Sequence, residues 1–201
     1  MNYHHGDLRR ALLQAARETI REKGASGLTL RAVARAAKVS HAAPYHHFPD
    51  KDALLAAVAE EGFEQLRASV SERTAGANSP ADAMQESAVA YVLFAVEHPD
   101  LFRVMFGPQL AQKTAHPNLQ ASAQAAYGGL LDGLRESVPA AVPSGAVAQM
   151  AVASWAVTHG LAMLLVDGQV AVENATEAER MARQVTDIFW VGLSGHAFDY
   201  R

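Results

Sequence analysis

Cysteine is absent from all 201 residues. That excludes disulfide scaffolds, thiolate zinc sites and thiol nucleophiles, and it is compatible with a reducing, cytoplasmic setting. Strand-like alternation of any length is missing, as is a glycine-rich phosphate loop, so helices must build the fold. No H-E-x-x-H or G-x-S-x-G spacing frames the nine histidines, so no catalytic residue, metal or cofactor is assigned. The opening MNYHHGDLRR lacks an apolar core, and no signal peptide is expected. The most apolar run, 146–166, is interrupted by Gln149, Ser154, Thr158 and His159, and reads as a buried helix rather than a membrane span. Charged residues make up only 19% of the chain and hydrophobic ones 50%, the balance of a globular protein with a real core.

Positive charge is also scarce overall, with a formal net of -4. Its distribution is uneven. Residues 1–50 hold eight Lys/Arg against four acids, a net of +4, so the rest carries nine against seventeen, a net of -8. Five of the nine histidines also fall in the first fifty. A basic head on an acidic body directs a polyanion to one end of a molecule.

The stretch LTLRAVARAAKVSHAAPYHHFPDK, residues 28–51, organises that head. Thr29 suits an N-cap, and Leu30, Val33, Ala34 and Ala37 recur as one buried helical face. Lys38 and Val39 make a turn, and Ser40 is expected to cap a second helix. On that helix Val39, Pro44 and Phe48 face inward, while Ser40, His41, Tyr45 and His46 face out. Such a pair is a helix-turn-helix, whose second helix enters a DNA major groove.

The pattern, closing on Tyr45, His46, His47, Phe48, Pro49, Asp50 and Lys51, resembles the TetR family of transcriptional regulators over roughly the first 65 residues. The opening Tyr-His-His-Gly-Asp-Leu-Arg resembles one branch of it. The resemblance implies an all-α, nine-helix architecture, with a three-helix DNA-binding head at residues 1–50. It further implies a ligand-binding and dimerisation domain over 51–201, reached through a fourth helix at about 51–75. It implies phosphate contacts from Thr29, Tyr45 and Lys51. Arg31, Ser40, His41, Ala42, Ala43, His46 and His47 complete the candidate DNA surface. Arg31 can pair with guanine, the histidines can read base edges, and Ala42 can touch a thymine methyl. Pro44 departs from the pattern. The family mostly has an aliphatic residue there, and the missing N–H removes a bond to Ser40.

Around this head, Asn2 to Asp7 reads as a flexible arm, where His4 and His5 suit a phosphate better than a metal. Gly24, the 76–79 break with Ser79-Pro80, His98-Pro99-Asp100, Gly107-Pro108, Pro139, Pro143 and Gly168 punctuate the rest. Ser144 is expected to cap the eighth helix, and Thr176 with Glu179 to form a capping box for the ninth. Trp155, His159 and Gly160 form a W-x-x-x-H-G that resembles the C-terminal domain of one TetR branch named for those residues. With Phe102, Met105 and Phe106 they make a candidate ligand site, although the same side chains suit an ordinary core. A close helix–helix approach would explain Gly160 in mid-helix.

The expected function is a dimeric regulator, a repressor that holds a palindromic double-stranded operator and is released by a small molecule. Two alternatives remain. One is an interaction module that kept the fold but not DNA; the other is a histidine-based enzyme.

Overall fold

The computed structural model describes residues 5–110 and 115–195. They form eight α-helices: α1 (His5–Lys23), α2 (Leu30–Ala36), α3 (Lys51–Thr74), α4 (Pro80–Glu97), α5 (Pro99–Phe106), α6 (Pro117–Ser137), α7 (Ser144–Val166) and α8 (Ala175–Gly195). Short 3-10 turns at Ala25–Gly27, Ala43–His46 and Pro108–Leu110 interrupt them, and no strand occurs among the described residues. The described residues thus hold eight α-helices rather than the nine expected, because the third of the nine, at Ala43–His46, is a 3-10 turn.

The chain packs as two units, one of residues 1–64 with 100–124, the other of 65–99 with 125–201. This division differs from a cut at residue 50, and the reason lies on α3. Met105 of α5 sits where a Cβ on Gly62 would fall, with its sulfur 2.6 Å from that position, and Phe63 meets Phe106 edge-on at 5.4 Å. Phe102 stacks on Phe106 at 4.8 Å, so α5 packs with the first half of α3. The chain therefore crosses between units three times, inside α3, inside α6 and at the start of α5, so α3 is not the only link.

In the first unit α1 buries Leu12, Leu13, Ala15, Ala16 and Ile20. It ends at Gly24, whose φ of 69° suits glycine and whose N–H donates to the Ile20 carbonyl at 2.7 Å. The expected arm is shorter than read, because α1 already begins at His5; Asn2, Tyr3 and His4 lie outside the described residues. In the second unit α4 packs against α7 and α8, and Met84, Leu134, Val147 and Ala151 make a core with Tyr127, Leu130 and Trp190 against it.

Helix ends follow cap chemistry, in some places at residues other than those expected. The Ser79 hydroxyl accepts from the Asp82 N–H at 3.1 Å, with Pro80 in the first turn. Helix α7 starts with Pro143 at the cap, and Ser144 is its first residue. Helix α8 is capped by Asn174, which accepts from the Glu177 N–H at 3.0 Å, while Glu177 reaches back to the Glu173 N–H at 2.8 Å. Thr176 and Glu179 form no capping box. The helix begins one residue before Thr176, so the acceptor at the cap is Asn174, and Glu179 is drawn to arginines.

Candidate nucleic-acid interface and a polar cluster in the second unit

The head is built from its caps outward. Thr29 has extended backbone (φ -142°, ψ 149°), and its hydroxyl oxygen accepts from the Ala32 N–H at 3.1 Å. That fixes the start of α2 and leaves the Thr29 O–H able to donate outward. Leu30, Val33 and Ala34 are buried. The helix closes with a paired Schellman pattern: the Lys38 N–H donates to the Arg35 carbonyl at 3.1 Å and the Val39 N–H to the Ala34 carbonyl at 3.0 Å. The residue at this turn is Lys38 at φ 56°, a left-handed conformation normally given to glycine.

The second helix of the motif is not the capped α-helix expected from Ser40. Ala43–His46 is a 3-10 turn with no side-chain cap. Pro44 explains it. In an α-helix the Ser40 carbonyl would accept from the N–H of residue 44, which proline lacks. Instead the Ala43 N–H reaches Ser40 at 3.0 Å and the Tyr45 N–H reaches Ala42 at 3.2 Å, both the tighter i to i+3 spacing. Pro44 and Phe48 are buried beneath this turn, and the Arg9 guanidinium lies 5.6 Å over the Phe48 ring.

Of the ten DNA-contact candidates, Thr29, Arg31, Ser40, His41, Ala42, Tyr45 and His46 are exposed, Tyr45 by 54%. Ala43 and His47 are half-buried, with the His47 ring 6.3 Å from Phe48. Lys51 is half-buried at the first position of α3, and its Nζ donates to the Ser26 carbonyl at 3.2 Å. That bond ties Lys51 to the chain just before Thr29 and leaves two ammonium donors. Asp50 caps α3 by accepting from the Ala53 N–H at 2.8 Å.

The positive charge of the head is partly answered from α3. Burial pushes the Glu60 and Glu61 carboxyls above the usual carboxylate range, while Arg9 opposes the shift at Glu60, and Arg17 and Arg9 oppose it at Glu61. Arg9 and Arg17 thus have anionic company, and Arg31, Arg35, Lys38 and Lys51 are the cations nearest the motif. Among the described residues no group of three or more His, Asp or Glu side chains could hold a metal.

The candidate ligand residues divide between the units. Phe102 and Met105 are fully buried in the first, where they pack with α3 as above. Trp155 and His159 belong to the second, where they meet a residue that sequence reasoning left out of the site, Tyr91 on α4. The Trp155 indole N–H donates to the Tyr91 oxygen at 3.3 Å, and that oxygen lies 2.8 Å from His159 Nδ1. Burial pushes the Tyr91 phenol far up, against a smaller opposing effect from Trp155, so it keeps its proton. The Tyr91 oxygen thus joins the Trp155 indole and the His159 imidazole through one hydroxyl, and the sense of the bond to Nδ1 follows the His159 tautomer. Tyr127 of α6 flanks Trp155 with ring centres 5.9 Å apart. The helical spacing of Trp155 and His159 was legible, but nothing local marks Tyr91, 64 residues before Trp155. Gly160 is not at a close approach within this chain: an added Cβ there meets nothing within 4 Å.

A buried-face and open-face division runs along α7. Ala151, Ser154, Thr158, Leu161, Ala162 and Leu165 are buried, whereas Val152, Trp155 and Leu164 are exposed by 57%, 39% and 46%. Ile188 on α8 is exposed by 74%.

A helix-turn-helix before a helical body is the arrangement of a large class of bacterial regulators, and the comparisons with known proteins agree. Residues 12–58 match the family described as bacterial regulatory proteins, tetR family, and residues 84–189 match the tetracyclin repressor-like C-terminal domain. The second match alone covers more than half of the chain, and the chain belongs to the TetR family. The HTH-type transcriptional repressor Rv1474c of Mycobacterium tuberculosis is 42% identical over 60 residues, which are 30% of this chain and 32% of that protein. The chain thus spans about a third of the length of that curated relative. A solved protein of unknown function from Rhodococcus sp. RHA1 is 35% identical over 96% of this chain and 98% of its own, with a TM-score of 0.79. The TetR family regulator PfmR from Thermus thermophilus shares the fold at 22% identity, with a TM-score of 0.65 over 88% of this chain and 95% of its own.

Proposed function

We propose that this chain is a dimeric, sequence-specific DNA-binding regulator, a repressor released when a small molecule binds the body. The observation that carries the reading is the head. Leu30, Val33, Ala34, Pro44 and Phe48 bury one side of a capped helix and turn, while Thr29, Arg31, His41, Tyr45 and His46 stand exposed on the other. Thr29 and Tyr45 can each give a hydroxyl to a phosphate, and Lys51 an ammonium at a helix N-terminus. His41 and His46 carry base reading and Arg31 a guanine contact. One head covers too few base pairs, so two are required, on a palindrome.

A gel shift over a salt series tests this on DNA selected by the protein from a random pool. Lys51→Ala should weaken binding to every sequence and flatten the log–log salt slope by about one unit per half-site. An unchanged slope with altered sequence preference would remove Lys51 from the phosphate-binding set, and no enrichment of any DNA would sink the regulator reading.

For the effector, the supporting observation is the Trp155–Tyr91–His159 cluster, aromatic rings whose polar atoms are held by hydrogen bonds to one another. It suits a largely apolar molecule with few polar groups. Such a ligand must prefer one arrangement of the heads over another, or it releases nothing.

A further inference from the structure

The turn that carries Tyr45 and His46 has little to hold it from within. Ala43–His46 is four residues long, lacks a side-chain cap and is closed by bonds of the i to i+3 kind, whose geometry is poorer than that of an α-helix. Its hold comes from beneath, where Pro44 and Phe48 are buried and the Phe48 N–H donates to the Pro44 carbonyl at 2.8 Å. Phe48 follows Tyr45 by three residues and His46 by two, so a shift of its ring is passed directly to the two exposed side chains proposed to meet DNA. A cation from α1 reaches this anchor. Arg9 holds its guanidinium 5.6 Å from the centre of the Phe48 ring, inside the range of a cation–π contact.

Arg9 is itself held from two elements. On α1 it stands about one turn before Leu12 and Leu13, both buried. On α3, burial pushes the Glu60 and Glu61 carboxyls up, and the Arg9 charge opposes this at Glu60 and, after Arg17, at Glu61. Withdrawing Arg9 to a phosphate would leave the half-buried Glu60 carboxylate without the cation that offsets its burial. We propose that Arg9 is a positioning residue for base reading, which fixes the Ala43–His46 turn through the Phe48 ring and does so without touching DNA. The role rests on the DNA-binding reading and adds to it a determinant of sequence preference that lies outside the helix-turn-helix.

The experiment uses full-length protein in gel shifts over a salt series. The duplexes are the site that the wild type selects from a random pool and copies of it with one base pair changed in each half-site. The wild type should prefer its own site by about ten-fold, and Arg9→Gln should cut that preference to about three-fold or less. The log–log salt slope should not change, because no phosphate contact is lost. Phe48→Leu keeps the position apolar but removes the ring, and should lose a similar factor. The double variant should lose no more than either single one, because both act through one contact. Arg9→Lys keeps the charge without the guanidinium plane and should fall between wild type and Arg9→Gln; it carries the test if Arg9→Gln folds poorly. Arg21→Gln is the control, since it removes the same charge from the far end of α1 and should leave the preference intact. A salt slope flattened by about one unit per half-site in Arg9→Gln makes Arg9 a phosphate ligand and overturns the proposal. Full preference in folded Arg9→Gln overturns it as well, even where the melting temperature falls, and so do additive losses in the double variant. In Glu60→Gln, a steeper slope with tighter binding to every duplex would show a phosphate-binding arginine set free, which also overturns it. A wild type that enriches no DNA overturns the DNA-binding reading itself, and the role of Arg9 with it.

Discussion

At the scale of single residues, the head shows how one position serves two demands that oppose each other. Lys38 occupies the left-handed position of the turn at φ 56°, where its paired neighbours Arg35 and Ala34 accept the closing bonds. Left-handed backbone costs a non-glycine residue roughly 1–2 kcal/mol. Glycine would relieve that strain but loses roughly 0.5–1 kcal/mol more on folding. Lys38→Gly should therefore raise stability by on the order of 0.5 kcal/mol, a rise of about 1–2 °C in the melting temperature. The same change removes an exposed cation beside the turn, so DNA affinity should fall and the salt slope should shrink. A melting curve and a salt-series gel shift on one preparation check both signs. If both rise or both fall, strain and charge do not oppose each other at this position. Gly62 and Gly160 make a similar contrast. At Gly62 a methyl group would meet the Met105 sulfur at 2.6 Å, so the glycine is there for packing within the chain, whereas at Gly160 it would meet nothing. The sequence alone treats both as the same helix-weakening residue.

At the scale of elements, what the sequence shows is governed by the range of the interaction. Caps and periodicities are local, and they placed the helices within a few residues: Thr29, Asp50, Ser79-Pro80, Gly24 and Gly168 all mark real ends. The capping box at Thr176 failed because Asn174 is an equally good cap two residues earlier, and the three-dimensional pull of Arg73 and Arg183 on Glu179 breaks the tie. The Tyr91–Trp155–His159 cluster and the ion pairs that Arg73 and Arg183 make with Glu86 and Glu179 join helices far apart in sequence, and no local pattern announces them. The candidate DNA surface was legible for the same reason the caps were, since it lies within 23 consecutive residues from Thr29 to Lys51. Pro44 was legible as an anomaly, though the extent of its effect was not: it converts the recognition segment into a 3-10 turn. Pro44→Ala restores an N–H opposite the Ser40 carbonyl and should let an α-turn form there, rotating Tyr45 and His46 about the axis of the segment. The expected result is a changed selected motif with little change in salt slope, because Lys51, the charged member of the proposed phosphate-binding set, lies outside the segment. An unchanged motif from random-pool selection would mean that the 3-10 geometry does not determine base reading.

At the scale of the whole molecule, the open faces of α7 and α8 pose the remaining question. Val152, Leu164 and Ile188 are large apolar side chains left in water by a single chain, and Ala156 and Gly160 lie between Val152 and Leu164 on the α7 face. Burying each large one can contribute roughly 1.5–3 kcal/mol, which a second copy of the same face would supply. In a two-fold interface every substitution acts twice, so a charge there is met by its own copy. Ile188→Glu should give monomers by light scattering while the helical circular dichroism signal is kept, because a side chain exposed by 74% makes few contacts within its own chain. Gly160→Leu provides an independent arm, since the chain itself leaves open space there and only an outside neighbour could object. Both variants should also lose most of their affinity for a palindrome while retaining weak, salt-sensitive binding to a single half-site, as expected when each head still folds but no longer binds in pairs. Dimers that persist in both variants would place the interface on another face and would leave the apolar stripe of α7 to the effector.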